Sequence, residues 1–264
     1  MESRLRANGT SGNDVPLTRL NNGETSPARP ASNTPHLKTL DASLLILQLF
    51  AVSVICSLTN GLITIAIPTM TKDLAIDPVL VYWPVLVYTL VSGSLLLLAG
   101  SIADVLGSKV VNTTGTLGLG IFVLITGFAK NGSELIALRA LSGTALALFL
   151  PTSVSLVSLN VTSGRSRNVG FSLIGVGQIV GYALGLVLGG ILVDSVGWRV
   201  GYYFCGASLL ALFVSGVFLL PADRRSVSEV STIKQIQTQI DWVGVAGSST
   251  SLGLLAYVLA CVYR

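Results

Sequence analysis

The chain begins with a polar segment and then alternates long apolar runs with short polar stretches. Residues 1–41 are rich in Asn, Ser, Thr, Pro and Gly and contain almost no apolar run. Such a segment cannot bury enough surface to fold, so we predict a disordered tail. Seven apolar runs follow, at about 42–70, 79–102, 110–129, 135–159, 169–193, 200–220 and 242–262.

Each apolar run is close to the roughly 20 residues that a helix needs to cross a bilayer. Helices are expected because backbone amides in hydrocarbon must find their hydrogen bonds within the segment. We therefore predict an all-α polytopic membrane protein. It has a six-helix transmembrane bundle at 42–220, a cytoplasmic linker at 221–241 and a seventh transmembrane helix at 242–264. The linker is either a short helix on the membrane surface or an irregular segment.

The composition supports this assignment and excludes several functions. Only 11% of the residues are charged, 51% are hydrophobic and the mean hydropathy is +0.76, whereas about a quarter of a soluble protein is charged. The net charge of +4 comes from basic residues scattered between apolar runs, which does not indicate a nucleic-acid partner. One histidine and three dispersed cysteines form no ligand or nucleophile pattern, so we expect no metal, no cofactor and no enzyme activity.

The basic residues also predict the orientation. If the tail is cytoplasmic, the inner segments hold eleven Lys and Arg, while the outer loops hold only Lys72, Lys130 and Arg199. Positively charged residues resist translocation, so we predict a cytoplasmic amino terminus in a multi-pass protein of the plasma membrane. The sequon at Asn131 would then lie outside the cell, where we predict glycosylation.

A glycine-containing loop between the second and third runs brings an acid close to a base. Its residues are Gly100, Asp104, Gly107 and Lys109. In a tight inner loop these charges can bond helix ends and each other, forming a latch whose strength depends on helix position. A solvated turn with incidental charges explains the pattern equally well.

Arg139 is the charged residue that lies inside an apolar run. A guanidinium at the centre of a membrane helix costs at least about 2.5 kcal/mol on insertion scales. Arg139 either anchors the outer end of its helix or faces a polar cavity, where it acts on a substrate or a proton carrier. Gln48, Asn60 and Gln178 are polar groups that would line that cavity or form hydrogen bonds between helices.

The fifth run contains glycines at four-residue spacing. They are Gly177, Gly181, Gly185, Gly189 and Gly190. Residues four apart share one helix face, so another helix can approach this face closely. We predict a helix-packing seam, which is either purely structural or a seam between moving helices.

The loop, the arginine and the glycine ladder, in this order, resemble the major facilitator superfamily. The Arg139–Gly143 segment is similar to its fourth-helix arginine motif, and the ladder is similar to its antiporter motif. Gly197-Trp198-Arg199 and the element that begins at Asp241 add to the likeness, which is greatest to the fungal fourteen-helix drug:proton antiporters.

Some positions depart from that family pattern. Val105 and Ser108 stand where the loop motif usually has basic residues. Leu186 replaces the usual proline of the antiporter motif, and Thr59 stands where many relatives have an acid. No Asp or Glu lies in the middle of any of the seven predicted spans, so this part of the protein offers no obvious proton carrier.

The resemblance implies a transporter that effluxes small organic molecules such as toxins or secondary metabolites, with coupling to protons as one option. Its partners would be the lipid bilayer, a small-molecule substrate and a second half or full-length relative. The family builds its pathway between two related halves, so we expect this chain to be a fragment or truncated product. A non-transporting scaffold or regulator is the alternative. A seven-helix receptor fits the number of spans but not the charge bias.

Overall fold

The computed structural model describes residues 39–161 and 164–220, together with Gly244, Gly247, Thr250, Ser251, Leu254 and Val258. The continuous part contains six α-helices, and no strand occurs in the residues so described. The helices are α1 (Thr39–Asp73), α2 (Trp83–Leu106), α3 (Ser108–Thr126), α4 (Gly132–Asn160), α5 (Arg165–Ser195) and α6 (Trp198–Leu219). A short 3-10 turn, Pro78–Leu80, precedes α2.

All six helices are long and apolar enough to cross a membrane. The prediction of an all-α polytopic bundle is therefore confirmed. The six residues described between 244 and 258 are helical, but most of the predicted seventh helix lies outside the described residues. The predicted linker at 221–241 lies outside them entirely, and so does the predicted tail except for the residues that begin α1.

The helices pack in a pattern that repeats after three helices. α1 packs mainly against α5 and α6, α4 packs against α2 and α3, and α3 packs against α6. Exchanging α1–α3 with α4–α6 converts the α1–α5 pair into α4–α2 and the α1–α6 pair into α4–α3, and it leaves the α3–α6 pair unchanged. Because each repeat has three helices, the second repeat crosses the membrane in the opposite direction. Inverted repeats of this kind are typical of membrane transporters.

α1 and α4 occupy equivalent central positions. In the 18-residue apolar stretch of each helix, half of the residues are buried, compared with 17% in α2 and 22% in α5. α2 and α5 therefore lie at the edge of the bundle and leave much of their surface uncovered. Polar side chains of α1 and α4 can therefore meet inside it.

Glycines hold α5 against α1. Four glycines of α5 are buried: Gly177, Gly181, Gly185 and Gly189. A methyl group added at these positions would contact, in the same order, Phe50, Val54, Leu58 and Leu62 of α1. Contacts advance four residues along both helices in the same direction, so α1 and α5 run parallel. Gly61 of α1 lies in the same way against the backbone of Tyr182. Gly190 has no neighbour within 4 Å of such a methyl group, so it does not take part in this seam.

The end of α1, the end of α3 and the start of α6 are joined by hydrogen bonds. Trp198 donates its indole N–H to Asp73 at the end of α1, at 3.0 Å. Arg199 and Tyr203 donate to the carbonyl oxygens of Ala129 and Gly127, which follow α3. The Gly-Trp-Arg element of the sequence thus fixes the start of α6 to both neighbouring helices.

Adding a methyl group at the glycines between α1 and α5 tests whether their close packing stabilises the protein. We expect Gly181→Ala and Gly185→Ala each to destabilise the protein by about 1–3 kcal/mol, because the added methyl collides with the carbonyl oxygen of Val54 or Leu58. Thermal unfolding of purified protein in detergent measures this. Gly190→Ala is the matched control, since it meets open space and gains helix propensity of roughly 1 kcal/mol. Equal melting temperatures for all three variants would contradict the seam.

Candidate functional site

Arg139 of α4 lies in the interior of the bundle, with 0% of its surface exposed. Its Nη2 donates to Oδ1 of Asn60 on α1 at 2.6 Å, and its Nε donates to the carbonyl oxygen of Pro84 on α2 at 3.3 Å. The guanidinium also lies over the ring of Tyr88, 4.3 Å from its centroid. This one side chain links α1 to both α2 and α4, although α1 otherwise packs little against either helix.

Neutral groups hold this cation. Asn60 and the Pro84 carbonyl supply dipoles, and Tyr88 supplies the negative face of an aromatic ring. Hydrogen bonds to a charged group contribute about 1.5–3 kcal/mol and a cation–π contact about 0.5–2 kcal/mol. These contributions are of the size needed to offset the cost of placing an arginine in a membrane helix.

Part of the guanidinium remains unsatisfied. Within residues 39–161 and 164–220, the fully buried side-chain atoms without a hydrogen-bond partner are Nη1 of Arg139 and the hydroxyl of Tyr202. An unsatisfied buried donor is costly, and such groups are expected to have a functional or structural reason. The positive charge of Arg139 is thus only partly compensated inside the bundle.

Asn60 and Gln48 are both on α1 but bond to different helices. The amide of Gln48 donates to the carbonyl oxygen of Leu212 and accepts from Ser215 at 2.9 Å, so it joins α1 to α6. A small cavity of about 10 Å³ lies beside Gln48, Asn112 and Thr116. Asn60 is half-buried and bonds to Arg139, whereas Gln48 is buried and bonds to α6 instead of Arg139.

Gln178 occupies a third environment. It is exposed on α5, so the structure does not bring it to Arg139.

Tyr88, which contacts Arg139, was not predicted from the sequence. It lies one helical turn after Pro84 and is 3% exposed. A tyrosine in an apolar span was the available signal, because its hydroxyl needs a partner when buried.

The charged loop at Gly100–Lys109 makes a sharp connection between α2 and α3. Gly107 alone separates the two helices and has a φ of 97°, which favours glycine. Asp104 is exposed in the last turn of α2, and Lys109 is half-buried in the first turn of α3. Gly100, further back in α2, has no neighbour within 4 Å of an added Cβ. These residues lie at the end of the bundle where α1 begins.

At the opposite end, Asn131 is exposed and directly precedes α4. Glycosylation there stays a prediction. Across the part of the chain that the structure describes, no group of three or more His, Cys, Asp or Glu side chains lies close enough to hold a metal ion.

The Asn60–Arg139 bond gives a direct stability test. Replacing Asn60 with alanine leaves a second guanidinium nitrogen without a partner, so we expect a loss of about 1–3 kcal/mol. Asn60→Asp retains the acceptor and adds an opposite charge, and we expect it to melt at or above the wild-type temperature. Thermal unfolding in detergent compares the two. The geometry would be contradicted if Asn60→Asp were as unstable as Asn60→Ala.

The model of the Major Facilitator Superfamily matches residues 49–263. MFS-type transporter 1 of Pyricularia oryzae is 34% identical over 92% of this chain and 45% of its own length. The puromycin resistance protein pur8 of Streptomyces alboniger is 33% identical over 67% of this chain and 35% of its own length. The chain thus spans less than half the length of these relatives.

The fold is also found among solved structures. A crystal structure of a mutant of the peptide transporter POT, in complex with sulfate, superposes with a TM-score of 0.62 at 19% identity. The match covers 80% of this chain and 46% of that one, and it supports the fold alone. The resemblance drawn from the sequence motifs is confirmed by the family match. The chain belongs to the Major Facilitator Superfamily, a family of membrane transporters and not of enzymes.

Proposed function

We propose that the protein takes part in the export of small organic molecules, such as toxins or secondary metabolites, across the membrane. The observation that carries this proposal is the family match over residues 49–263. A relative named for resistance to an antibiotic supports efflux as the direction. Substrate export is the usual physical basis of resistance conferred by a membrane protein of this family.

The described helices would form one wall of the transport pathway. Transporters with inverted repeats bind substrate between two such bundles and change access by rocking one against the other. The second wall would come from a second half or a full-length relative. The α1–α5 seam brings two backbones together within one bundle, so we propose that these helices move as one unit.

Arg139 and the inner loop would have different roles. Arg139 supplies a fixed positive charge near the pathway and orders Asn60. Asp104 and Lys109, at the end where α1 begins, would latch the inner gate through charge interactions that depend on the positions of α2 and α3.

Proton coupling would need a titratable group within the membrane. Among the described helices, the acidic residues lie toward the helix ends, at Asp41, Asp73, Asp104, Glu134 and Asp194. If export is coupled to protons, we propose that the proton carrier belongs to the second half of the pathway and that Arg139 acts on it across the interface.

Export is tested in cells that express the protein, by following loss of fluorescent or toxic compounds. We expect Arg139→Ala and Asp104→Asn each to lower export at least tenfold at matched surface expression. Tyr82→Phe, an exposed position at the start of α2, is the control and should export normally. A well-inserted wild type that exports none of the compounds would contradict the proposal and favour the scaffold alternative.

Orientation has its own test. We propose that the amino terminus is cytoplasmic and that the protein lies in the plasma membrane. An epitope tag at the amino terminus should bind antibody at the cell edge only after permeabilisation. An Asn131→Gln variant should lack any sugar-dependent mass shift shown by the wild type. Labelling of the tag on intact cells would reverse the assigned orientation.

A further inference from the structure

An exposed patch of polar and aromatic side chains lies where α1 meets α5, which we call the Thr64–Tyr182 patch. It consists of Asn60 and Thr64 on α1 and Tyr182 on α5. The hydroxyls of Thr64 and Tyr182 are 3.5 Å apart. Tyr182 is 41% exposed, Thr64 is exposed and Asn60 is half-buried.

The surroundings of the patch distinguish it from a lipid-facing surface. Tyr182 is near the middle of α5, where Ile179, Val187 and Ile191 are exposed apolar positions, whereas Gln178, one helical turn before Tyr182, is an exposed polar one. Polar groups that face hydrocarbon lose their hydrogen bonds to water without replacement. A tyrosine hydroxyl in mid-span is therefore expected to face a polar space.

The α1–α5 seam fixes the position of the patch. The backbone carbonyl of Tyr182 lies directly against Gly61, the residue that follows Asn60. Little freedom remains for this part of α5 relative to α1. The Tyr182 ring is thus presented from a rigid pair of helices, which is the arrangement that a precise binding site requires.

The hydrogen bonds of Thr64 leave the Tyr182 hydroxyl free to donate to a ligand. Thr64 donates its proton to the backbone carbonyl of Asn60 at 2.8 Å. In the contact with Thr64, the Tyr182 hydroxyl must then be the donor. At 3.5 Å that contact is longer than a normal O–H···O bond, so a better acceptor can take its place.

The patch connects to the buried cation through Asn60. The backbone of Asn60 accepts from Thr64, and its side chain accepts from Arg139. The partly compensated charge of Arg139 makes the potential near the patch positive. A positive potential favours the negative end of a ligand dipole, such as a carbonyl oxygen, and disfavours a cation.

From this geometry we propose that Tyr182 contacts the transported substrate, and that the substrate is an uncharged aromatic compound with a carbonyl acceptor. The ring of Tyr182 stacks on the aromatic part of the substrate, and its hydroxyl donates to the carbonyl. Thr64 positions that hydroxyl. The inference rests on the proposed export function, because it assumes that the polar space beside the patch is the transport pathway.

The test uses two uncharged probes of similar shape. 7-Methoxycoumarin carries a ring carbonyl, and 2-methoxynaphthalene lacks one. Binding of each to the purified protein in lipid nanodiscs is measured by fluorescence titration. We expect Tyr182→Phe to weaken methoxycoumarin binding about threefold to tenfold, as one lost hydrogen bond would, and to leave methoxynaphthalene binding unchanged. Tyr182→Ala should weaken both, because the ring is also lost.

Controls separate this role from a structural one. Tyr82→Phe removes a hydroxyl from an exposed tyrosine outside the patch and should leave both affinities unchanged. The melting temperature of Tyr182→Phe should equal that of the wild type. Equal effects of Tyr182→Phe on both probes, or no effect on either, would overturn the inference.

Export measured in cells with the same compounds distinguishes the two proposals. A wild type that exports other compounds but does not bind methoxycoumarin overturns the substrate assignment and leaves the export function standing. A wild type that neither binds nor exports any compound overturns both.

Discussion

Direct contact between the backbones of α1 and α5 is the constraint on which the arrangement of polar groups depends. Every fourth residue of α5 from Gly177 to Gly189 is glycine, and a side chain there would displace α1. With α5 covering the Gly61 face of α1, Asn60 is turned toward α4 and meets Arg139. A further face of α1, which includes Gln48, bonds to α6. α1 thus positions three neighbours, α5, α4 and α6, by presenting a different chemistry to each.

The six described helices could be predicted from the apolar runs, because a bilayer sets a minimum length that few other structures require. The positions of the helix ends were predicted less well. The apolar pattern placed the second and third spans at 79–102 and 110–129, whereas α2 is Trp83–Leu106 and α3 is Ser108–Thr126. Hydropathy does not detect that a helix continues through Asp104, nor that Gly107 alone makes the turn.

The candidate site was only partly predictable. Arg139 was identifiable because a charge in an apolar run is costly, but its acceptor lies 79 residues earlier and no spacing rule connects them. Gln48 and Asn60 look alike in sequence, and only the packing of α1 assigns one to α6 and the other to α4. Gly189 and Gly190 are adjacent but about 100° apart around the helix, so only one faces α1.

Arg139 differs from the other polar groups of the bundle in having a charge that does not respond to pH, because a guanidinium stays protonated in proteins. It therefore does not itself exchange a proton. Its described partners are neutral dipoles, and one of its nitrogens has none. Neutral partners lower the energy of the cation without cancelling its field. In the function that we propose, that field would act on whatever enters the pathway, whether a carbonyl of a substrate or an acid of a second half. A carboxylate at position 60 would stabilise the bundle and, for the same reason, remove this influence.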